Sequence, residues 1–148
     1  MLELDAWLEI AKSAALKGGK YLLENQGQEL KILLNEGRDI KLQLDTDTEK
    51  LIKDSLGSQS EFSILGEETG LSNDLGEFYW VVDPLDGTSN FLRDIPISCV
   101  SIALMQKLQP ILGVIYDFNH DDLYFGHIES QAFVNQVEII VSDYSEKS

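Results

Sequence analysis

FYWVVDPLDGTSNF, residues 78–91, decides how this chain is built. The aromatic and β-branched run through Val82 predicts a buried strand. Pro84 has no N–H to give to a ladder, so the strand is expected to stop at Asp83. Asp83 and Asp86 then share a tight loop. Gly87 frees the backbone there, and Thr88-Ser89-Asn90-Phe91 is suited to begin a helix. Such a loop can present two carboxylates and the Leu85 carbonyl towards one point, an all-oxygen set that suits a hard cation such as Mg²⁺. The amides of Gly87 and Thr88, at a helix start, can hold a phosphate oxygen.

Two more acidic groups stand at expected strand ends. SEFSILGEE reads as a short strand running into Gly66-Glu67-Glu68, and LQLDTD as a third strand closed by Asp45. If these strands are neighbours, Glu67 reaches the same cation. Taken singly, each fragment is better explained as local chemistry, because DP and DG are common in turns and GEE suits a solvated loop. Taken together at this spacing, they read as one site.

Outward from this centre the pattern is mixed. Residues 3–25 carry Leu4, Trp7, Leu8, Ala11, Ala14, Ala15, Gly18, Tyr21 and Leu22 at helical spacing, with Trp7 expected in the core. Two apolar runs flank Asn35-Glu36-Gly37, which predicts a hairpin. A second helix is expected over residues 47–56, capped by Thr46 with Glu49 as its capping-box partner and Leu51, Ile52 and Leu56 on its buried side. LSNDLGE, residues 71–77, has loop composition. CVSIALMQ, PILGVIYDF, DDLYFGHI and QAFVN fit successive strands, with turns at 107–110 and 119–122 and a frayed tail from Ser142. The fold class is therefore α+β, helices layered on a large, mostly antiparallel sheet.

With 148 residues the chain is long enough for one ordinary domain. Its formal charge of −15, with only 11 basic residues, excludes a nucleic-acid surface. It also repels bare anionic substrates, so a phosphate would need a cation between it and the carboxylates. Acidity that serves solubility alone is an equal account of the overall charge. No apolar run approaches a membrane span, and Glu3, Asp5 and Glu9 are unlike a secretory leader, so a cytoplasmic location is expected. The lone Cys99 excludes an internal disulfide and reads as strand packing. His120 and His127 flank the DDLYF strand and read as a turn and a strand-edge residue, with ligand roles as the alternative.

DIKLQLDTDTEKLI, ILGEE and WVVDPLDGTSNF, in that order, resemble the inositol monophosphatase family of Mg²⁺-dependent, lithium-sensitive phosphatases. The resemblance extends over essentially the whole chain. It implies that Glu67, Asp83 and the Leu85 carbonyl bind an activating Mg²⁺, and that Asp83 and Asp86 hold a second. Glu67 and Thr88 would orient the water that attacks phosphorus, Asp45 would act through bound water, and the Gly87 and Thr88 amides would contact phosphate. The substrate implied is inositol 1-phosphate or a related sugar phosphate, hydrolysed without a covalent phosphoenzyme. Leu42 and Leu34 depart from the family pattern, where threonine and a mobile-loop lysine are usual. Family members are nearly twice as long, and nothing here matches their second, Trp-Asp-x-Ala-type signature. Residues 1–148 are thus expected to be the N-terminal unit of the family's αβαβα sandwich, forming a homodimer or associating with a second half. A non-catalytic metal- or protein-binding module is the competing expectation.

Overall fold

The structure, a computed structural model, describes residues 2–29, 32–36, 39–71 and 74–142. Its framework is an eight-stranded sheet with two long helices on one face. The first helix, α1 (Leu4–Asn25), buries Leu4, Leu8, Ala11, Ala14, Ala15 and Leu22. Strands β1 (Ile32–Glu36) and β2 (Asp39–Leu42) pair antiparallel as the expected hairpin. The Gly37 turn, the Leu34 side chain and the tail from residue 143 lie outside the described residues.

The second helix, α2, spans Gln43–Gly57, four residues earlier than its apolar periodicity suggests. Its first turns bury Asp45, Thr48 and Glu49 among Leu44, Ile52 and Leu56, and such polar residues do not register as a buried face. Thr46 is not its cap. The cap position is Leu42, whose N–H is taken by the Asp45 carboxylate at 3.0 Å. Asp45 therefore closes no strand; it occupies the first helical turn, where a carboxylate also suits the helix dipole.

Then come β3 (Ser63–Gly66), β4 (Gly70–Leu71), β5 (Phe78–Asp86) and a short helix, α3 (Thr88–Leu92). A meander completes the sheet: β6 (Cys99–Gln106), β7 (Gln109–Asp117), β8 (Asp122–His127), β9 (Ala132–Val134) and β10 (Val137–Ile139). The strand order is β10-β9-β8-β7-β6-β5-β3-β4. Every pairing is antiparallel except β3 with β5. Contrary to expectation, β5 does not end at Asp83. It continues past Pro84 to Asp86 through a register shift against β6.

Trp80, Val82, Val100, Ile102, Leu104, Leu112, Val114 and Tyr116 fill the face under the helices. Trp7 packs beside this core against Phe62 and Phe78, with ring centroids 5.2 and 5.3 Å away. The opposite face is half open: Leu65, Ile115 and Tyr124 are exposed, and Val81, Ser101 and Ala103 are partly so. Among the described residues no helix is long and apolar enough to cross a membrane.

Close helix packing depends on the Gly18-Gly19 pair. A Cβ at Gly18 would stand 2.8 Å from Ile52 Cδ1 in α2, and one at Gly19 would stand 2.4 Å from the Tyr116 ring in β7. Gly19→Ala gains about 1 kcal/mol of helix propensity. It also overpacks a buried ring, which typically costs about 1–3 kcal/mol, and at this separation overpacking wins. The urea midpoint of Gly19→Ala is expected to fall clearly, whereas the exposed Lys20→Ala stays near wild type.

Candidate metal and phosphate site

Strands β3 and β5 run parallel with Gly66 opposite Val82, so both deliver their carboxyl ends to one place. The Glu67 N–H extends the ladder by one bond, to the Val82 carbonyl at 3.1 Å. Glu67 and Asp83 thereby become neighbours, and their carboxyl groups are hydrogen-bonded. They line a cleft of about 440 Å³ with Leu65, Val81, Ser101 and Ala103.

Asp86 lies further along the same strand, opposite Cys99 in β6, with its Oδ2 3.9 Å from Cys99 Sγ. It is exposed, and with Gly87 it lines a second groove of about 460 Å³ that also includes Asn90, Cys99, Asp117 and His120. The Leu85 carbonyl accepts the Thr88 hydroxyl at 3.2 Å, which ties α3 back onto the strand end. Gly87 makes that turn with φ +91°, and a Cβ there would stand 2.7 Å from the Ile97 carbonyl. Only glycine satisfies both conditions.

The electrostatics are those of crowded anions. The Asp83 carboxyl is pushed from 3.8 up to about 8, first by burial, then by the Glu67 hydrogen bond and the negative charges of Glu67 and Asp86, against a lowering backbone bond at Leu85. Asp83 Oδ1 is buried and has no hydrogen-bond partner among the described residues. Burial, together with Asp86, Asp83 and Asp117, pushes the Cys99 thiol up to about 11. Cys99 is half-buried at the first residue of β6, not deep in a strand, and as a neutral thiol it is a poor nucleophile.

The structure thus brings Glu67, Asp83, Asp86, Gly87 and Thr88 to one sheet end, and Asp45 is buried in the first turn of α2. Glu67, Asp86 and the Leu85 backbone act on Asp83. Among the described residues no three His, Cys, Asp or Glu side chains already stand as a metal centre. The donor set nonetheless fits a hard divalent cation. It is all oxygen, it includes a buried carboxylate oxygen with no such partner, and its mutual repulsion is what a cation relieves. The histidines are each engaged by an aspartate, His127 away from this site and His120 at the rim of the Asp86 groove. His127 Nε2 meets Asp5 at 2.8 Å, and His120 Nδ1 meets Asp117 at 2.8 Å in the β7–β8 turn.

One buried carboxylate beside the site escaped the sequence reading. Glu49 is not a capping partner of Thr46, because its carboxylate is taken by the amides of Glu68 and Thr69. A glutamate three residues after a threonine reads as a capping-box partner. The nearest signal was the glycine at 66, which its carboxylate abuts.

Comparison with known proteins gives the family and the fold. A model of the inositol monophosphatase family matches residues 3–148. The chain is 38% identical over 146 residues to a fructose-1,6-bisphosphatase/inositol-1-monophosphatase of Aquifex aeolicus, covering 97% of this chain and 55% of that protein. Its fold superposes on a crystal structure of the extragenic suppressor protein suhB from Bartonella henselae with TM-score 0.85, at 34% identity, over 91% of this chain and 54% of that one. For inositol monophosphatase from Anabaena the TM-score is 0.83, at 35% identity, over 98% and 53%. The chain spans about half the length of the curated relatives it matches.

Two expectations follow. The folded chain holds the Asp83 proton up to about pH 8, whereas the unfolded chain releases it near 3.8. The native state then binds more protons between those values, so this contribution to stability is complete below about pH 4 and is lost as pH rises through 8. The urea midpoint of the metal-free chain should decline from pH 5 to 8, and Asp83→Asn should flatten that decline; equal slopes would refute the assignment. Gly87→Ala should lower stability by about 1–3 kcal/mol through its backbone conformation alone, read from the same urea curves.

Proposed function

The chain belongs to the inositol monophosphatase family, and on that premise we propose that it carries the metal-binding, water-orienting half of a Mg²⁺-dependent phosphomonoesterase. The observation that carries this reading is the Glu67–Asp83 carboxyl pair beside Asp86 and the Gly87 turn. Glu67, Asp83 and the Leu85 carbonyl hold one Mg²⁺, and Asp83 with Asp86 holds a second. When bound, Mg²⁺ polarises phosphoryl oxygen and lowers the pKa of water.

The remaining work falls to the protein. The Thr88 hydroxyl donates its proton to the Leu85 carbonyl, so its lone pairs are left to accept from an attacking water. Glu67, on the other side, accepts that water's second proton. The Gly87 and Thr88 amides bind a phosphate oxygen at the start of α3. Asp45 acts at one remove, from the first turn of α2. The substrate class is a small phosphate monoester, inositol 1-phosphate or a related sugar phosphate, in keeping with the name of the Aquifex relative. Lithium sensitivity and a cytoplasmic location go with the same reading.

Residues 1–148 form the N-terminal unit of such an enzyme. The half-open sheet face, with Leu65, Ile115 and Tyr124 exposed, is the surface on which a second unit or a second copy packs. The competing reading is a module that binds metal or a protein partner without turnover.

The test is phosphate release from inositol 1-phosphate by the purified chain, with and without Mg²⁺ and beside Asp83→Asn. Release that requires Mg²⁺ and drops at least about 10²-fold in the variant is expected for catalysis of this kind. Calorimetric Mg²⁺ binding with no release above the variant would move the assignment to the non-catalytic module.

A further inference from the structure

A second kind of carboxylate stands behind the acidic cluster. Glu49, mid-way along α2, is fully buried, a place that charged side chains take only with partners. Those partners belong to the turn that leaves β3. Glu49 Oε1 accepts the Glu68 N–H at 2.8 Å. Its Oε2 accepts the Thr69 N–H at 2.8 Å and the Thr69 hydroxyl at 2.5 Å. Lys53, one helical turn on, donates to Thr69 Oγ1 at 2.5 Å and to the Gly70 carbonyl at 3.1 Å, and its ammonium is 3.9 Å from Oε2. Gly66 completes the fit, because a Cβ there would stand 2.5 Å from the Glu49 carboxyl.

We infer that Glu49 is a positioning residue for Glu67. The Glu67 peptide is fixed on one side by the Val82 carbonyl at 3.1 Å. On the other side the next two amides are fixed by one carboxylate. A residue held at both ends of its peptide presents its side chain in a narrow range of directions, and Glu67 is thereby aimed at Asp83. Charge-assisted bonds to backbone N–H groups are the strong kind. The turn carrying a cation ligand is in this way anchored to a long helix, not left to loop mobility. The cation role of Glu67 rests on the phosphatase reading; the anchoring rests on the hydrogen bonds alone.

The experiment separates the two. In the metal-free chain, amide hydrogen exchange is followed by NMR in wild type, Glu49→Gln, Gly66→Ala and the double variant, with exposed Glu24→Gln as control. A glutamine keeps one acceptor but turns an NH₂ group towards the second amide. Exchange at Glu68 and Thr69 should quicken about tenfold or more, while mid-sheet Ile102 and Leu104 keep their protection. Gly66→Ala should act alike by displacing the carboxylate, and the double variant should be no worse than either single one. Calorimetric Mg²⁺ affinity should weaken about tenfold or more, as for other groups that orient metal ligands.

Unchanged exchange at Glu68 and Thr69 overturns the inference, and so does quickening spread equally over Ile102 and Leu104. Quickening confined to the turn with unaltered Mg²⁺ affinity overturns the positioning role. If wild type itself binds no Mg²⁺, the phosphatase reading falls, and the exchange pattern by itself decides whether Glu49 anchors Glu67.

Discussion

Leu65 and Gly66 face Val81 and Val82 across the parallel β3–β5 pair, and the arrangement of acids depends on that register. Parallel strands end on the same side, so the residues just beyond them meet without any loop having to bring them together. Strand side chains alternate between faces, and a one-residue slip would send Asp83 under the helices. The slip is prevented by the alternation itself. Trp80 and Val82 are buried beneath α1 and α2, while Val81 and Asp83 look to the opposite face. The hydrophobic core thus fixes where the carboxylates emerge.

Concentrating carboxylates in this way is opposed by their own repulsion. The chain's answer at Asp83 is a retained proton, shared in a hydrogen bond with Glu67. A proton and a divalent cation compete for the same oxygens, so affinity for the cation rises as the proton leaves. The contrast with Glu49 is instructive. It is more deeply buried, yet it meets two backbone N–H groups, a hydroxyl and a nearby ammonium. One buried carboxylate is answered by donors and serves architecture; the other is crowded by acids.

Much of this was legible in the residues. The periodicity of α1 survives its two glycines because leucine and alanine recur on a single face, and the β-branched runs of β6 and β7 admit no helical reading. The acidic fragments carrying Glu67 and Asp83 do meet, at the ends of two neighbouring strands. What failed did so for identifiable reasons. The start of α2 was obscured because Asp45, Thr48 and Glu49 are polar and buried, so no apolar stripe announces the first turns. Strands β4 and β10, of two and three residues, exist through pairing with a neighbour, not through intrinsic preference. That β3 and β5 are neighbours, and parallel, is tertiary information that no local pattern carries. Glu49 was misassigned because capping chemistry and long-range anchoring use the same side chain.

The continuation of β5 beyond Pro84 has a consequence of its own. As far as Val82 this strand is interior, bonded to β3 on one side and β6 on the other. Past that point β3 has turned away, and β5 runs on to Asp86 as an edge. A proline, forbidden inside a sheet, is tolerated on such an edge. The opening is therefore made by a mismatch in strand length, a missing stretch of neighbour rather than an added loop. A β3 that stayed paired two residues further along β5 would cover that ledge.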